Sequence, residues 1–262
     1  MKFDSLLWKF YKKDADICHY VFGTMHLGSE AAYTYAEKAK IYIQKSSLYA
    51  AEMDMNESSP QDMTHYFKLG NGALFSELFK PTKYKKIVKV VKKGFDIDLT
   101  IFDEFTPFFI SNMLVESVIH KKHDEALDHF LWYFAMEQGK DLRGVETFED
   151  QVSVLKHIPL SYQLKAFKDV IGNLSAFKKK LKNLNSMYER ADLLNLYRSS
   201  KKSMGSLRKL MIYDRNIRMT TRIISMSEEK PAFFAIGAAH LPGEKGILAM
   251  LQKNGYKVKA IT

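Results

Sequence analysis

Two stretches carry residue types and spacing that could do chemistry: Gly23-Thr24-Met25-His26 near the start of the chain and Gly237-Ala238-Ala239-His240 near its end. Each is a Gly-x-x-His that directly follows a run reading as a buried strand, 17–22 and 231–236. A glycine at a strand exit permits a tight turn or a close backbone approach. In open sheets with helical crossovers, the loops leaving the C-terminal ends of strands form the usual ligand crevice. Parallel neighbours in a sheet bring remote segments together, so both imidazoles are expected to face one pocket. Glu52, Asp54 and Glu146 also fall at the ends of strand-like runs. Imidazoles with carboxylates suit Mn²⁺, Co²⁺, Fe²⁺ or Zn²⁺ better than Ca²⁺. An incompletely filled site of this kind leaves room for a water whose pKa the metal lowers, which is hydrolytic chemistry. A competing reading has Glu52 and Glu146 cap neighbouring helices or pair with arginine.

The elements that must position these residues follow in chain order. Residues 5–10 lead through a polar turn at 12–16 into the first strand, reading as an edge hairpin. An alanine-rich helix over 31–44, N-capped by Ser29, and a strand over 47–54 complete a βαβ unit, whose crossover is right-handed by rule. Apolar spacing of three and four predicts helices over 80–94, 102–122 and 125–139, with Pro107 interrupting the second. A strand over 141–146 ends on Glu146, and Thr147 caps a helix running through 151–156. Long helices are expected over 160–171, 174–190, 192–210 and 213–227. A last helix over 242–254, stopped by Gly255, joins the 231–236 and 256–261 strands. The fold class is α/β: a mixed, largely parallel central sheet with helical crossovers and a large helical cap insertion. One domain is expected over 1–262, its sheet core at about 5–56, 140–151 and 230–262 and its helical insertions at about 57–139 and 152–229.

Composition narrows the function classes. At 262 residues and 46% apolar, the chain can bury a sizeable core. The lone Cys18 rules out an internal disulfide and a multi-cysteine zinc site, and it reads as strand packing. No run reaches the length of a membrane span, and the first residues lack a signal-peptide core. The expectation is a soluble protein, cytoplasmic as written and periplasmic or extracellular if a signal has been removed. The net charge of +10 permits acidic partners without naming one. Lys83, Lys85, Lys86, Lys89, Lys92 and Lys93, like the lysines within 178–182, lack a stacking platform or nucleic-acid motif beside them, so they read as charged helix faces and no nucleic acid is expected. His120 and His123, at i and i+3 among lysines, read as a solvated face, and His19 as a core or sheet-face histidine.

Taken together, Gly23-Thr24-Met25-His26-Leu27-Gly28, Ala51-Glu52-Met53-Asp54, Gly144-Val145-Glu146-Thr147-Phe148-Glu149-Asp150-Gln151, Asp214-Arg215-Asn216 and Gly237-Ala238-Ala239-His240-Leu241-Pro242-Gly243 resemble the successive motifs of the TraB/GumN family. The opening Leu6-Leu7-Trp8-Lys9 fits as well, so the resemblance covers nearly the whole chain. It implies an α/β core like that of the erythromycin esterase and ChaN proteins, with paired Gly-x-x-His motifs and a strand-end glutamate at the active site. The Tiki members of that family imply Mn²⁺- or Co²⁺-dependent peptide-bond cleavage, with Zn²⁺ as a further option and a peptide or protein as substrate.

Carried over by position, the resemblance makes His26, Glu52 and His240 the metal candidates and Glu52, Glu146, Arg215 and Asn216 the catalytic candidates. Neither a His-Glu-x-x-His nor a Gly-x-Ser-x-Gly is present, so a metal-activated water is the expected nucleophile. Glu52 is either a third ligand or the base, and the sequence does not separate these roles. Arg215 reads either as an oxyanion or substrate-carboxylate clamp or as a lock that pairs with Glu146. Asn216 orients a neighbour. The alternative function class is a non-catalytic protein that captures a peptide or small ligand on the same fold.

Overall fold

The computed structural model describes residues 3–13, 16–25, 30–57, 65–118 and 126–261. Its strands are β1 (Leu7–Lys12), β2 (His19–Thr24), β3 (Leu48–Met53), β4 (Asp141–Glu146), β5 (Ala232–Gly237) and β6 (Tyr256–Ile261). They form one sheet in the order β4-β3-β5-β2-β1-β6. β2, β3, β4 and β5 pair in parallel, while β1 runs antiparallel to both β2 and β6. The fold is therefore the mixed α/β class expected from the alternation of strand and helix patterns.

Two compact units emerge. The larger comprises residues 1–57, 121–151 and 184–262; the smaller comprises 58–120 and 152–183. The larger holds the sheet together with α1 (Glu30–Gln44), α4 (Leu127–Glu137), α8 (Leu193–Met204), α9 (Asp214–Glu229) and α10 (Ile247–Lys253). Its core is set by continuous apolar strands such as Ala232–Gly237, whose Phe233 and Phe234 are fully buried, as parallel strands covered on both faces require. Tyr49 stacks on its register partner Phe233 at 5.8 Å, and Trp132 of α4 meets Tyr49 edge-on. The smaller unit contains α2 (Pro81–Phe95), α3 (Pro107–Val118) and α6 (Leu160–Gly172), packed around Phe75, Ile87, Ile110, Leu114 and Phe167. α5 (Phe148–Lys156) and α7 (Leu174–Glu189) each run from one unit into the other. No helix among the described residues is long and apolar enough to cross a membrane.

Several local expectations are corrected. β1 is internal, because β6 pairs along its free side from Leu7↔Ile261 to Lys12↔Tyr256. The true edge, β6, alternates Tyr256, Val258 and Ala260 with Lys257 and Lys259, and edge lysines discourage further strand pairing. Pro107 opens α3 instead of interrupting a helix, since the first helical position needs no N–H. The helix expected to 210 ends at Met204, where Gly205 takes φ +50, and a π turn over Lys209–Tyr213 leads into α9. After His240 the chain turns at Gly243, with φ +93, so α10 begins only at Ile247. The Ser29 cap and the His120/His123 face lie outside the described residues.

His19 is a buried β2 side chain whose Nδ1 has no partner among the described residues. Loss of hydration, with a smaller contribution from Lys12, pushes its pKa down to about 4 from 6.5. The folded state therefore holds a neutral ring that the unfolded chain protonates below pH 6.5. The stability this contributes is fully present above pH 6.5 and drains as pH falls towards 4. The loss amounts to roughly 3 kcal/mol. Denaturant titrations from pH 7 to 4 should show that decline, and His19→Phe should make it shallower by about that amount; an unchanged slope in the variant would locate the titrating group elsewhere.

Candidate functional site

The sheet register brings the strand-end motifs to one edge. Gly23 pairs with Ile236 and Thr24 with Gly237, so the two Gly-x-x-His segments leave neighbouring parallel strands one residue out of step. On the other side of β5, β3 pairs with β4 up to Met53↔Glu146, which sets the ends carrying Glu52 and Glu146 side by side. The glycines are required by proximity, not by backbone angle. A Cβ at Gly23 would stand 3.2 Å from Ala238 and 3.1 Å from the Leu241 side chain. At Gly237 it would meet Glu52 Oε2 at 3.0 Å and His240 Cδ2 at 3.4 Å.

Arg215, in the first turn of α9, joins the two carboxylates. Its Nε donates to Glu146 at 3.1 and 3.0 Å, and its Nη2 donates to both Glu146 Oε2 and Glu52 Oε1. Nη1 faces the Met211 carbonyl at 3.5 Å. With Nε and Nη2 both turned to carboxylates, the guanidinium acts as a lock between helix and strands. The other Glu52 oxygen accepts the Gly237 N–H at 2.9 Å. Burial alone would raise the Glu52 pKa, but Arg215, His240 and the Gly237 N–H more than offset it and hold the pKa down at about 2. Glu52 is thus an anion across the working pH range. Its side chain keeps 27% of its surface exposed, against 0% for Glu146.

Asn216, the next residue, is fully buried and serves the second histidine. Its amide nitrogen donates to the carbonyls of His240, at 3.2 Å, and Lys245, at 2.6 Å. That leaves Oδ1 to accept from His240 Nδ1 at 2.6 Å, so the proton sits on Nδ1 and the lone pair on Nε2. Burial pushes the His240 pKa down to about 4, which keeps the ring neutral near pH 7. A neutral imidazole with one nitrogen anchored is the form that ligates metal or accepts a proton.

The described residues therefore bring together Glu52, Glu146, Arg215, Asn216 and His240. His26 lies outside them. Asp54 is set apart, its carboxylate accepting from the Asn56 N–H at 2.8 Å in a turn. Among the described residues, no group of three His, Cys, Asp or Glu side chains could hold a metal ion.

Sequence reasoning missed several contributors. Arg218 Nη2 lies 3.5 Å from Glu146, and Arg222 pairs with Asp150 while donating to the Val145 carbonyl at 3.0 Å. The spacing 215, 218, 222 puts three arginines on one helical face, a signal that was there to read. Asp150 itself forms a reciprocal cap with Thr147 at the start of α5, at 3.1 and 3.2 Å. Tyr188 of α7, fully buried, donates its hydroxyl to the Gly23 carbonyl at 2.8 Å. No sequence pattern points to that contact.

These features define a mixed α/β protein with a polar site where parallel strands β2, β3, β4 and β5 end. The chain belongs to the TraB/PrgY/gumN family, whose profile it matches over residues 6–260. It is similar to Metalloprotease TIKI2 of Danio rerio, at 23% identity over 98% of this chain and 61% of that protein. It is also similar to the Metalloprotease TIKI homologs of Amphimedon queenslandica, at 27% identity over 57% of this chain and 36% of that protein, and of Nematostella vectensis, at 25% over 57% and 38%. The chain thus spans less than two thirds of the length of each of these relatives. No solved structure is a significant match.

Glu146→Gln leaves Arg215 paired with Glu52 but removes the charge from its hydrogen bonds to β4, and should cost about 1–3 kcal/mol in denaturant titrations. Tyr188→Phe, which leaves the Gly23 carbonyl without its donor, should lose about 1–2 kcal/mol. A Glu146→Gln variant as stable as the parent would mean that Arg215 does not depend on Glu146.

Proposed function

We propose that the protein is a divalent-metal-dependent hydrolase, most closely a peptidase, with Mn²⁺ or Co²⁺ favoured over Zn²⁺ and held by His26, Glu52 and His240. The observation that carries this reading is the paired donor set at Gly237: an anionic Glu52 carboxylate and a neutral His240 whose Nε2 has no hydrogen-bond partner among the described residues. The donors fit a borderline transition metal, since imidazole nitrogen and carboxylate oxygen both suit it. In this reading the third donor is His26, three residues along the chain from Gly23, which packs against Ala238. Bound there, the ion would lower the pKa of a water and polarise a peptide carbonyl.

The chain's own residues divide the remaining work. Asn216 keeps the His240 proton on Nδ1 and so fixes which nitrogen faces the site. Arg215 keeps Glu52 ionised and holds it in place, which favours a ligand role for Glu52 over that of the base. Glu146 is the counter-charge that holds Arg215. The peptide substrate is drawn from the names of the TIKI relatives, which are metalloproteases.

The second reading, capture of a peptide without turnover, takes support from the same lock. Both Glu52 oxygens already accept a hydrogen bond, an arrangement that serves a static binding site equally well.

Calorimetric titration of metal-stripped protein with Mn²⁺, Co²⁺ and Zn²⁺ separates the two. Saturable binding of one ion is expected, lost in His26→Ala and in His240→Ala. Asn216→Ala should weaken it about 10–100-fold, as loss of a histidine's orienting partner does. With metal bound, Glu52→Gln should abolish cleavage of a peptide library. Absence of saturable binding in the parent protein, or undiminished binding in either histidine variant, would overturn the shared metal site and put the capture reading first.

A further inference from the structure

The lysines that the site does not use are gathered in the smaller unit. Residues 58–120 and 152–183 contain 15 lysines, no arginine and 8 acidic residues, so they carry +7 of the chain's +10. α2 turns Ile87 and Val91 into that unit's core and leaves Lys83, Lys85, Lys86, Lys89 and Lys93 exposed on its outer side. The basic surface continues onto α7. There Lys178 Nζ donates to the Gly94 carbonyl at 2.9 Å, the Phe95 and Phe177 rings lie 6.3 Å apart, and Lys179 and Lys182 are exposed.

Little of this charge is neutralised within the molecule. Lys92 pairs with Asp96 at 2.7 Å, but the five exposed lysines named on α2 form no ion pair among the described residues. Several stand three or four residues apart, as 83 and 86, 85 and 89, or 89 and 93 do, a spacing at which like charges destabilise a helix. An anionic surface laid against them would relieve that repulsion.

The chemistry of the patch selects among such surfaces. Ammonium groups are point charges without the planar fork that reads phosphates or carboxylates two bonds at a time. Neither helix exposes an aromatic ring on this side: Tyr84 reaches Asp103 at 3.4 Å, and Phe95 and Phe177 pack on each other. A nucleic-acid site would be expected to offer stacking platforms or arginine forks. A diffuse array of lysines on the outside of two helices instead matches the diffuse negative charge of a lipid leaflet.

We propose that the outer faces of α2 and α7 form a docking surface for an anionic phospholipid bilayer, held by charge without insertion. This rests on the lysine arrangement alone and stands or falls independently of the hydrolase reading.

The test is co-sedimentation of the full chain with phosphatidylcholine vesicles, with and without about 30 mol % phosphatidylglycerol. Binding is expected only to the anionic vesicles at about 0.1 M NaCl, and release at about 0.5 M. Each basic residue near an anionic surface multiplies partitioning by roughly fivefold. The triple variant Lys85→Glu, Lys86→Glu, Lys89→Glu should therefore bind at least tenfold more weakly. A triple of equal charge in the larger unit, Lys253→Glu, Lys257→Glu, Lys259→Glu, should change binding by less than threefold. No binding to anionic vesicles, or equal loss in the two triples, would overturn the proposal. So would retention on a DNA duplex at a salt concentration that releases the vesicles, which would make nucleic acid the occupant. Far-ultraviolet circular dichroism of both triples shows whether each is folded; if the α2 triple is not, Lys85→Ala and Lys89→Ala together replace it, with the same tenfold criterion lowered to fivefold.

Discussion

The contact between one guanidinium and two carboxylates organises this molecule. Glu52 and Glu146 end adjacent parallel strands, and two like charges so close together would push one of them to protonate if nothing intervened. Arg215 intervenes, bonding to both. The cost of burying these charges is several kcal/mol per ion and is offset only when geometry and further hydrogen bonds are good. Here they are: the Gly237 N–H adds a donor to Glu52, and Arg218 adds one to Glu146. Consecutive residues of a helix point about 100° apart. The same turn of α9 that sends Arg215 to the strand ends therefore sends Asn216 to the segment holding His240. One helix docking thus fixes the charge state of the carboxylate and the tautomer of the imidazole together.

The Gly-x-x-His pattern gains a physical meaning from this arrangement. Gly237 is where a backbone must come close enough to a carboxylate to donate to it, while an imidazole lies against the other side. Gly23 is where the first motif gives way to the second, against Ala238 and Leu241. Both glycines therefore mark contacts between distant parts of the chain, and neither adopts a left-handed backbone.

What could be read from the sequence divides along the same line. Strands such as 141–146 and 256–261 were legible because short apolar or alternating runs bounded by glycine and polar residues have few other uses. That Glu52, Glu146, Arg215, Asn216 and His240 belong together was legible through motif resemblance. Spacing alone could not have joined residues so far apart. The position of β1 inside the sheet was not legible, since strand order is decided by pairing between the two ends of the chain. Nor was the π turn over Lys209–Tyr213 that directly precedes α9 and Arg215. The net charge was plain in the composition, whereas its concentration in one unit needed the division of the chain into two.

β5 lies between β3 and β2, although more than 170 residues separate it in sequence from either. Until residues 232–237 have left the ribosome, the sheet is two separate pieces: β3 with β4, and β1 with β2. The central groove between them is also where Glu52 finds its backbone donor and where the second histidine arrives. A growing chain therefore has no assembled site before β5 has emerged. Long-range pairing of this kind delays folding, and throughout that delay Glu52 and the His240 segment stay on pieces of chain that have not yet met.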